Sequence, residues 1–268
     1  MTFGEYCKTI DNLTTDILRD IKWLCCEYLN CNLCDLNNKF LSDDIQNKLT
    51  KALNELKKGK PLAYITNSAP FFGQAFYVDN NVLIPRMETE QLLEWIINDN
   101  KSKKGLKILD MCTGSGCIAI TLKKHLDCTI TAVDCSTNAL NIAKKNAKLH
   151  NAKINFVHSN MFDKLSNKYD IIVCNPPYIP SAEIQQLNSN VKDFEPTLAL
   201  DGGDDGLNYY RIIAKDSPSH IVKNGLLYLE IGHDQGQSVP QLLQTSFKNI
   251  LVKKDYDNNN RMIKCERK

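Results

Sequence analysis

Four consecutive residues, Asn175-Pro176-Pro177-Tyr178, carry the most specific chemistry in the chain. Two prolines in succession stiffen a turn and remove two N–H donors. What the turn then presents is acceptors, the Asn175 side-chain oxygen and the Pro176 carbonyl. An –NH2 group on an sp2 carbon has two N–H donors and a lone pair delocalised into its π system. Two carbonyl oxygens that hold both hydrogens fix the nitrogen, help it become more tetrahedral, and aim its lone pair at an electrophilic carbon. Tyr178 adds a flat face for a planar group. The chemistry is orientation and electrostatics rather than strong-base catalysis.

A second constellation lies upstream. Asp110-Met111-Cys112-Thr113-Gly114-Ser115-Gly116-Cys117 closes an apolar run and opens a helical pattern. Glycines between a strand and a helix permit a tight turn and close approach of a ligand to the backbone. Asp134 ends the next apolar run, where a carboxylate can accept from two ribose hydroxyls. Ser159-Asn160-Met161-Phe162-Asp163 follows a third run. There Asn160 is placed to bond an adenine edge and Met161 to pack on its face. Together these segments suit a nucleoside-bearing cofactor. They do not say which one, and Gly114-x-Gly116-x-x-Ala119 also fits the dinucleotide fingerprint. With the Asn-Pro-Pro-Tyr turn, however, the glycine loop resembles that of the Rossmann-like S-adenosylmethionine-dependent amino-methyltransferases, which implies a sulfonium methyl as the carbon attacked.

The elements that must position these residues alternate. Strands are expected at 106–110, 129–134, 154–158, 169–174 and 226–231, with helices at 117–126 and 137–149. Residues 250–252 and 261–265 are expected to close the sheet as an antiparallel pair. Such alternation implies a mostly parallel α/β sheet covered on both faces, with ligands beyond the carboxyl ends of its strands. The first sixty residues read as helices. Thr14-Thr15-Asp16 starts one, with Ile17, Leu18, Ile21, Leu24, Cys25 and Tyr28 at helical spacing. Ser42 caps another, whose stripe is Ile45, Leu49, Ala52, Leu53 and Leu56, stopped by Gly59 and Pro61. The stripe reads as the core of a small bundle, compatible with a surface for a macromolecular partner. Residues 61–85 are punctuated by Pro61, Pro70, Gly73 and Pro85 and read as a linker with a β-hairpin. Glu88 to Asn98 reads as a helix.

Size and composition bound the possibilities. The chain has 268 residues, 43% of them apolar, and a net charge of +2, enough for one α/β domain and a small companion. That charge is too small to argue for nucleic-acid binding. No apolar run is long enough to span a bilayer and no signal peptide is evident, so the expected location is cytoplasmic. Eleven cysteines, an odd number, argue against a disulfide framework. Cys31-Asn-Leu-Cys34 has no second CxxC and no histidine in the first 124 residues, and the adjacent Cys25-Cys26 on a helix cannot easily aim both sulfurs at one ion, so no metal is expected. The histidines at 125, 150, 158, 220 and 233 are scattered, and none is assigned to catalysis.

Further segments sharpen the reading. Pro61-Leu62-Ala63-Tyr64-Ile65-Thr66, Leu83-Ile84-Pro85-Arg86, Glu88-Thr89-Glu90, and Glu195-Pro196-x-x-Ala199-Leu200-x-Gly202-Gly203-x-Asp205-Gly206-Leu207 with Tyr210-Arg211 accompany the Asn-Pro-Pro-Tyr turn. Together they resemble the peptide chain release factor glutamine N5-methyltransferases, often called PrmC or HemK, across essentially the whole chain. The resemblance implies a Rossmann-like class I methyltransferase fold with a seven-stranded mixed sheet. It also implies a helical N-terminal domain at 1–60 for partner recognition, a hairpin linker at 61–86 and a catalytic domain at 87–268. The implied reaction moves a methyl group from S-adenosylmethionine to the glutamine side chain of the Gly-Gly-Gln tripeptide in class I release factors. The implied partner is a class I release factor, met by a monomer without membrane or nucleic acid.

Carried over, Asn175, Pro176, Pro177 and Tyr178 bind and orient the amide, with Pro85 and Arg86 bordering the mouth. Cys112, Thr113, Gly114, Ser115, Gly116, Asp134, Met161 and Asn175 bind the cofactor. Three positions depart from the family pattern. Cys112 and Met87 replace glycine and proline, predicting an altered turn and a looser segment, and Met161 stands where an aromatic is common, predicting weaker stacking. The main competitor is an amino-methyltransferase acting on adenine N6 or guanine N2. A nicotinamide-dependent oxidoreductase would leave the Asn-Pro-Pro-Tyr turn without a role, and a non-catalytic module would leave every polar group idle.

Overall fold

The computed structural model describes every residue except Asn12. The chain divides into two compact units, Met1–Thr66 and Asn67–Lys268. The first is helical: α1 (Phe3–Lys8), α2 (Thr15–Leu29), α3 (Asp43–Lys57) and α4 (Leu62–Thr66), with a 3-10 segment at Leu33–Asn38. The Thr14 and Ser42 hydroxyls accept from the Ile17 and Ile45 amides and so cap α2 and α3. Their facing stripes bury Ile21, Leu24 and Cys25 against Leu49, Ala52, Leu53 and Leu56, closed by Phe3, Leu36 and Leu41. Tyr28, expected in the stripe, is exposed. Residues 62–66 carry strand-like side chains, yet they form a helical turn started by the Pro61 carbonyl, which accepts from the Tyr64 and Ile65 amides. Proline's fixed φ suits a helix start.

The second unit opens with a hairpin of β1 (Ala69–Phe71) and β2 (Gln74–Phe76). Phe72 and Gly73, both at positive φ, form its two-residue turn. There follow α5 (Met87–Asn100), β3 (Leu106–Met111), α6 (Cys117–His125), β4 (Cys128–Asp134), α7 (Thr137–Leu149), β5 (Asn155–His158) and β6 (Tyr169–Cys174). The chain ends with the short α8 (Ser189–Lys192), α9 (Asn208–His220), β7 (Ile221–Glu230), α10 (Ser238–Leu243), β8 (Phe247–Lys254) and β9 (Asn260–Arg267).

Seven strands form one sheet in the order β5-β4-β3-β6-β7-β9-β8, and β9 alone runs opposite to the other six. Side chains alternate along the central strands. Ile108, Ile171, Val173 and Tyr228 enter the core beneath α5 and α6. Leu109, Met111, Ile172, Cys174, Leu227 and Leu229 enter the opposite core with Tyr210 and Ile213 of α9. Burial on both faces explains why these strands read as continuous apolar runs. The chain winds outward from β3 to β5, then returns to β6 at the other side of β3. That reversal opens a crevice at the ends of β3 and β6, where the glycine loop and the Asn-Pro-Pro-Tyr turn emerge. Among the described residues, no helix is long and apolar enough to cross a membrane.

Candidate active site

Two adjoining cavities occupy this crevice. The first is bordered by Cys112, Thr113, Gly114 and Ser115 after β3, Asp134 after β4, Asn160 and Met161 after β5, and Asn175 and Pro177 after β6. Pro85, Arg86 and Leu198 border it from the other side. The second is lined by Arg86, Asn175, Pro176, Tyr178, Leu200 and Glu230, among others. Asn175 and Arg86 stand where the two meet.

The glycine loop is tied at its base. Asp110 is fully buried, and its Oδ2 accepts from the Thr113 hydroxyl at 2.6 Å and the Ala119 amide at 3.2 Å. Its Oδ1 is buried without a partner. Burial pushes the Asp110 carboxyl up to about 7. Asp134 spans the loop and the start of α7: Oδ2 accepts from the Gly114 amide and Oδ1 from the Ser136 amide, each at 2.9 Å. Burial raises this carboxyl too, while those amide bonds lower it. Gly114 is at φ 54°, and a Cβ there would meet nothing within 4 Å, so its Cα faces open space. Gly116 is not among the lining residues. It sits at φ 81° at the start of α6, where a Cβ would press on Ala143 of α7 at 3.1 Å. Helix packing therefore accounts for this glycine.

Cys112 stays in the left-handed region at φ 59°, despite its Cβ, as does Met161 at φ 45°. Their sulfurs lie 3.9 Å apart. The loop therefore keeps, at Cys112, a conformation glycine adopts without cost, and holds it with local strain.

The Asn-Pro-Pro-Tyr turn is held from three sides. Asn175 Nδ2 donates to the Thr89 hydroxyl at 3.3 Å, and Thr89 donates to Glu230 Oε2 at 2.6 Å. The amides of Ile179 and Gly202 pair with the carbonyls of Leu200 and Ile179 at 3.0 and 2.8 Å. Gln235 Nε2 donates to the carbonyls of Tyr178 and Gly206, both at 3.1 Å. A Cβ at Gly202 would stand 2.8 Å from Tyr178 Cα, and one at Gly206 would collide with the Tyr178 carbonyl oxygen. The glycines of the Leu200–Leu207 segment are thus close-approach positions against the turn. Burial pushes the Tyr178 phenol up, which keeps it protonated.

Pro85 and Arg86 are fixed by a distant acid. Glu195, 4% exposed, accepts from Arg86 Nη2 at 2.5 Å and from the Ile84 amide at 3.2 Å. Asn146 plays a similar part for the preceding segment. Its amide clamps both backbone groups of Tyr77 and the Ser115 carbonyl.

Glu195 and Asp110 lay within motifs quoted from the sequence, but without a stated role. Thr89, in Glu88-Thr89-Glu90, likewise had a motif but no stated role, whereas Asn146 and Glu230 carried no sequence signal as site residues. Among the described residues, no group of three or more His, Cys, Asp or Glu side chains converges as a metal site, and all eleven cysteines are free thiols.

Sheet order, glycine loop, acidic strand end and Asn-Pro-Pro-Tyr turn define a class I S-adenosylmethionine-dependent methyltransferase. The family described as methyltransferase small domain matches residues 87–191. A methyltransferase from Pyrococcus furiosus, 13% identical, shares the fold at a TM-score of 0.56 over 81% of this chain and 98% of that one. The release factor glutamine methyltransferase of Flavobacterium psychrophilum is 46% identical over 220 residues, 79% of this chain and 77% of the relative. That of Streptococcus pneumoniae is 44% identical over 78% of this chain and 76% of its own length. The chain belongs to the release factor glutamine methyltransferases.

Proposed function

We propose that the chain methylates the side-chain amide nitrogen of the glutamine in the Gly-Gly-Gln tripeptide of class I release factors, with S-adenosylmethionine as donor. The observation that carries this reading is the position of Asn175 at the junction of the two cavities, with its Nδ2 tied to Thr89. The first cavity fits the cofactor: an open glycine backbone, a strand-end carboxylate and the Asn160-Met161 turn border it. Cys112 to Ser115, Asp134 and Met161 would hold it, and when bound it would supply an electrophilic methyl on a sulfonium, leaving as the neutral thioether S-adenosylhomocysteine as the methyl's C–S bond is exchanged for a C–N bond and the amide nitrogen gives up one proton to solvent.

The second cavity receives the glutamine side chain. Asn175 Oδ1 and the Pro176 carbonyl accept the two amide hydrogens. This fixes the nitrogen and turns its lone pair out of conjugation. Pro177 keeps the turn rigid, and Tyr178 walls the pocket with a protonated ring. Arg86, neutralised by Glu195, borders both cavities without bringing a free charge to a neutral amide. Positioning of this kind lowers the barrier by fixing geometry in advance.

The helical N-terminal domain, residues 1–60, serves recognition of the release factor. Residues 61–86 form the linker, and residues 87–268 the catalytic domain. The enzyme acts as a cytoplasmic monomer. Methyl transfer from labelled S-adenosylmethionine tests the reading. Label should enter a purified class I release factor and not RNA or DNA. Label confined to nucleic acid would instead establish a base amino-methyltransferase.

A further inference from the structure

We propose that Glu230, acting through Thr89, fixes which way the Asn175 amide faces, and so is a positioning residue for methyl transfer. The inference rests on the role proposed for Asn175.

Adjacent strands bring the two residues together. Cys174 pairs with Leu229 in the parallel register of β6 and β7, so Asn175 and Glu230 leave the sheet side by side. Glu230 is 1% exposed and lines the second cavity. Thr89, at the start of α5, is also buried and lines the first. The hydroxyl of Thr89 has one hydrogen, and that hydrogen goes to Glu230. Only lone pairs remain on Thr89 Oγ1 for Asn175. An asparagine amide facing that oxygen must present its NH2, which places its oxygen on the other side. The amide's two ends have nearly the same shape, so packing alone orients them poorly. The direction of this relay supplies what shape does not.

A purely structural part for Glu230 explains less. A buried carboxylate is costly unless it is paired. Arg261 lies nearby, but its guanidinium bonds Asp255 Oδ2 at 3.2 Å and the Ile231 carbonyl at 3.3 Å. Among the described residues, Glu230 has no ion-pair partner, only hydrogen bonds. An apolar residue or a glutamine would fill the position at lower cost. What the carboxylate adds is an obligate acceptor.

Protonation would reverse the relay. A neutral Glu230 can donate to Thr89, releasing the Thr89 hydrogen toward Asn175 and removing the constraint on the amide. The groups that face Glu230 are Glu88 of α5, Arg261 of β9, Tyr210 of α9, Tyr178 of the turn and Arg86 of the mouth. Burial dominates, and with Glu88 it outweighs Arg261 and the bond from Thr89. The carboxyl is pushed up to about 7. Both tyrosines are raised by burial and stay neutral through that range.

The test uses the full-length protein. In cofactor-free, 15N-asparagine-labelled protein, the Asn175 side-chain amide signals are identified by their loss in Asn175→Ala and followed across neutral pH. They should move with a midpoint near neutrality in the wild type and stay constant in Glu230→Gln. With a purified class I release factor, Thr89→Val should lower kcat about 10- to 100-fold. KM and the cofactor Kd should stay within about threefold, and Thr89→Ser should recover most of the loss. Glu230→Gln should abolish the acid limb of kcat. Asn175 signals indifferent to pH in the wild type, or Thr89→Val turning over like the wild type, would overturn the relay. A wild type that leaves release factor unmethylated while its Asn175 signals still titrate through Glu230 would overturn the proposed substrate and leave the relay standing.

Discussion

Asn175 and Asp134 divide the work of the site, and each makes a separable prediction. Asn175→Ala removes one of the two acceptors for the substrate amide but little of the cofactor cleft. Turnover should fall by about 10²- to 10³-fold, in the range of losing one preorganised polar contact to the reacting group. Cofactor affinity, followed by calorimetry, should change little. Asp134→Ala loosens Gly114 and Ser136 and removes the strand-end carboxylate, so the cofactor Kd should rise at least tenfold, roughly 1.4 kcal/mol. An unchanged Kd would count against a ribose contact. At this scale the sequence was partly legible. Asn175 to Tyr178 announce themselves by residue type, because two prolines after a strand leave a turn made of acceptors. Thr89, Asn146 and Glu230 do not, because each acts through a partner 86, 69 or 141 positions away. Cys112 was legible as a departure from glycine. That it keeps φ 59° is a property of the folded loop.

Two loop elements hold the turn and the mouth in place. Glu195 binds both the Ile84 amide and Arg86, so Glu195→Ala frees the segment that borders both cavities and leaves Arg86 unneutralised. KM for the release factor should rise more than kcat falls, as steady-state kinetics would reveal. Equal effects on both would place Glu195 in the chemistry itself. Gly206 is at φ 70°, with the Tyr178 carbonyl where a Cβ would go. Gly206→Ala should cost about 1–3 kcal/mol from backbone strain alone and displace the turn, so that melting temperature and kcat drop together. The parallel strands were readable because burial on both faces makes them unbroken apolar runs. The long return from β6 to β7 was not. Its Leu200–Leu207 segment takes its conformation from pairing with Ile179, Tyr178 and Gln235 rather than from a periodic apolar pattern. Residues 62–66, inside the segment expected to be a linker with a hairpin, form a helical turn instead: β-branched and aromatic side chains favour strands only weakly, and Pro61 together with the bundle core decides for a helix.

Across the whole molecule, the two buried carboxyls set a pH dependence. Asp110 and Glu230 are pushed up to about 7 in the folded chain, above their ordinary values of 3.8 and 4.5. Between those limits the folded state holds more protons than the unfolded one, so stability falls as pH rises. The loss reaches up to about 1.4 kcal/mol per pH unit for each group. The stabilisation from the neutral forms is complete below the ordinary carboxyl range and is gone above about 7. Melting temperature should therefore decline from mildly acid to mildly alkaline pH. Glu230→Gln should flatten that decline and melt higher on the alkaline side. A melting temperature that climbs over the same interval would contradict the burial of these charges. The α/β class and its crevice were visible from strand–helix alternation alone, whereas division of the chain at Thr66 follows from tertiary packing.

Mass-spectrometric mapping of the methylated product tests the central claim most directly. After incubation of the enzyme, S-adenosylmethionine and a purified class I release factor, a single methyl group should be found on the side-chain nitrogen of the Gly-Gly-Gln glutamine. When Asn175→Ala replaces the wild type for the same time, its initial yield should fall by about 10²- to 10³-fold. A methyl group on any other residue, or full modification by the Asn175→Ala protein, would contradict the account.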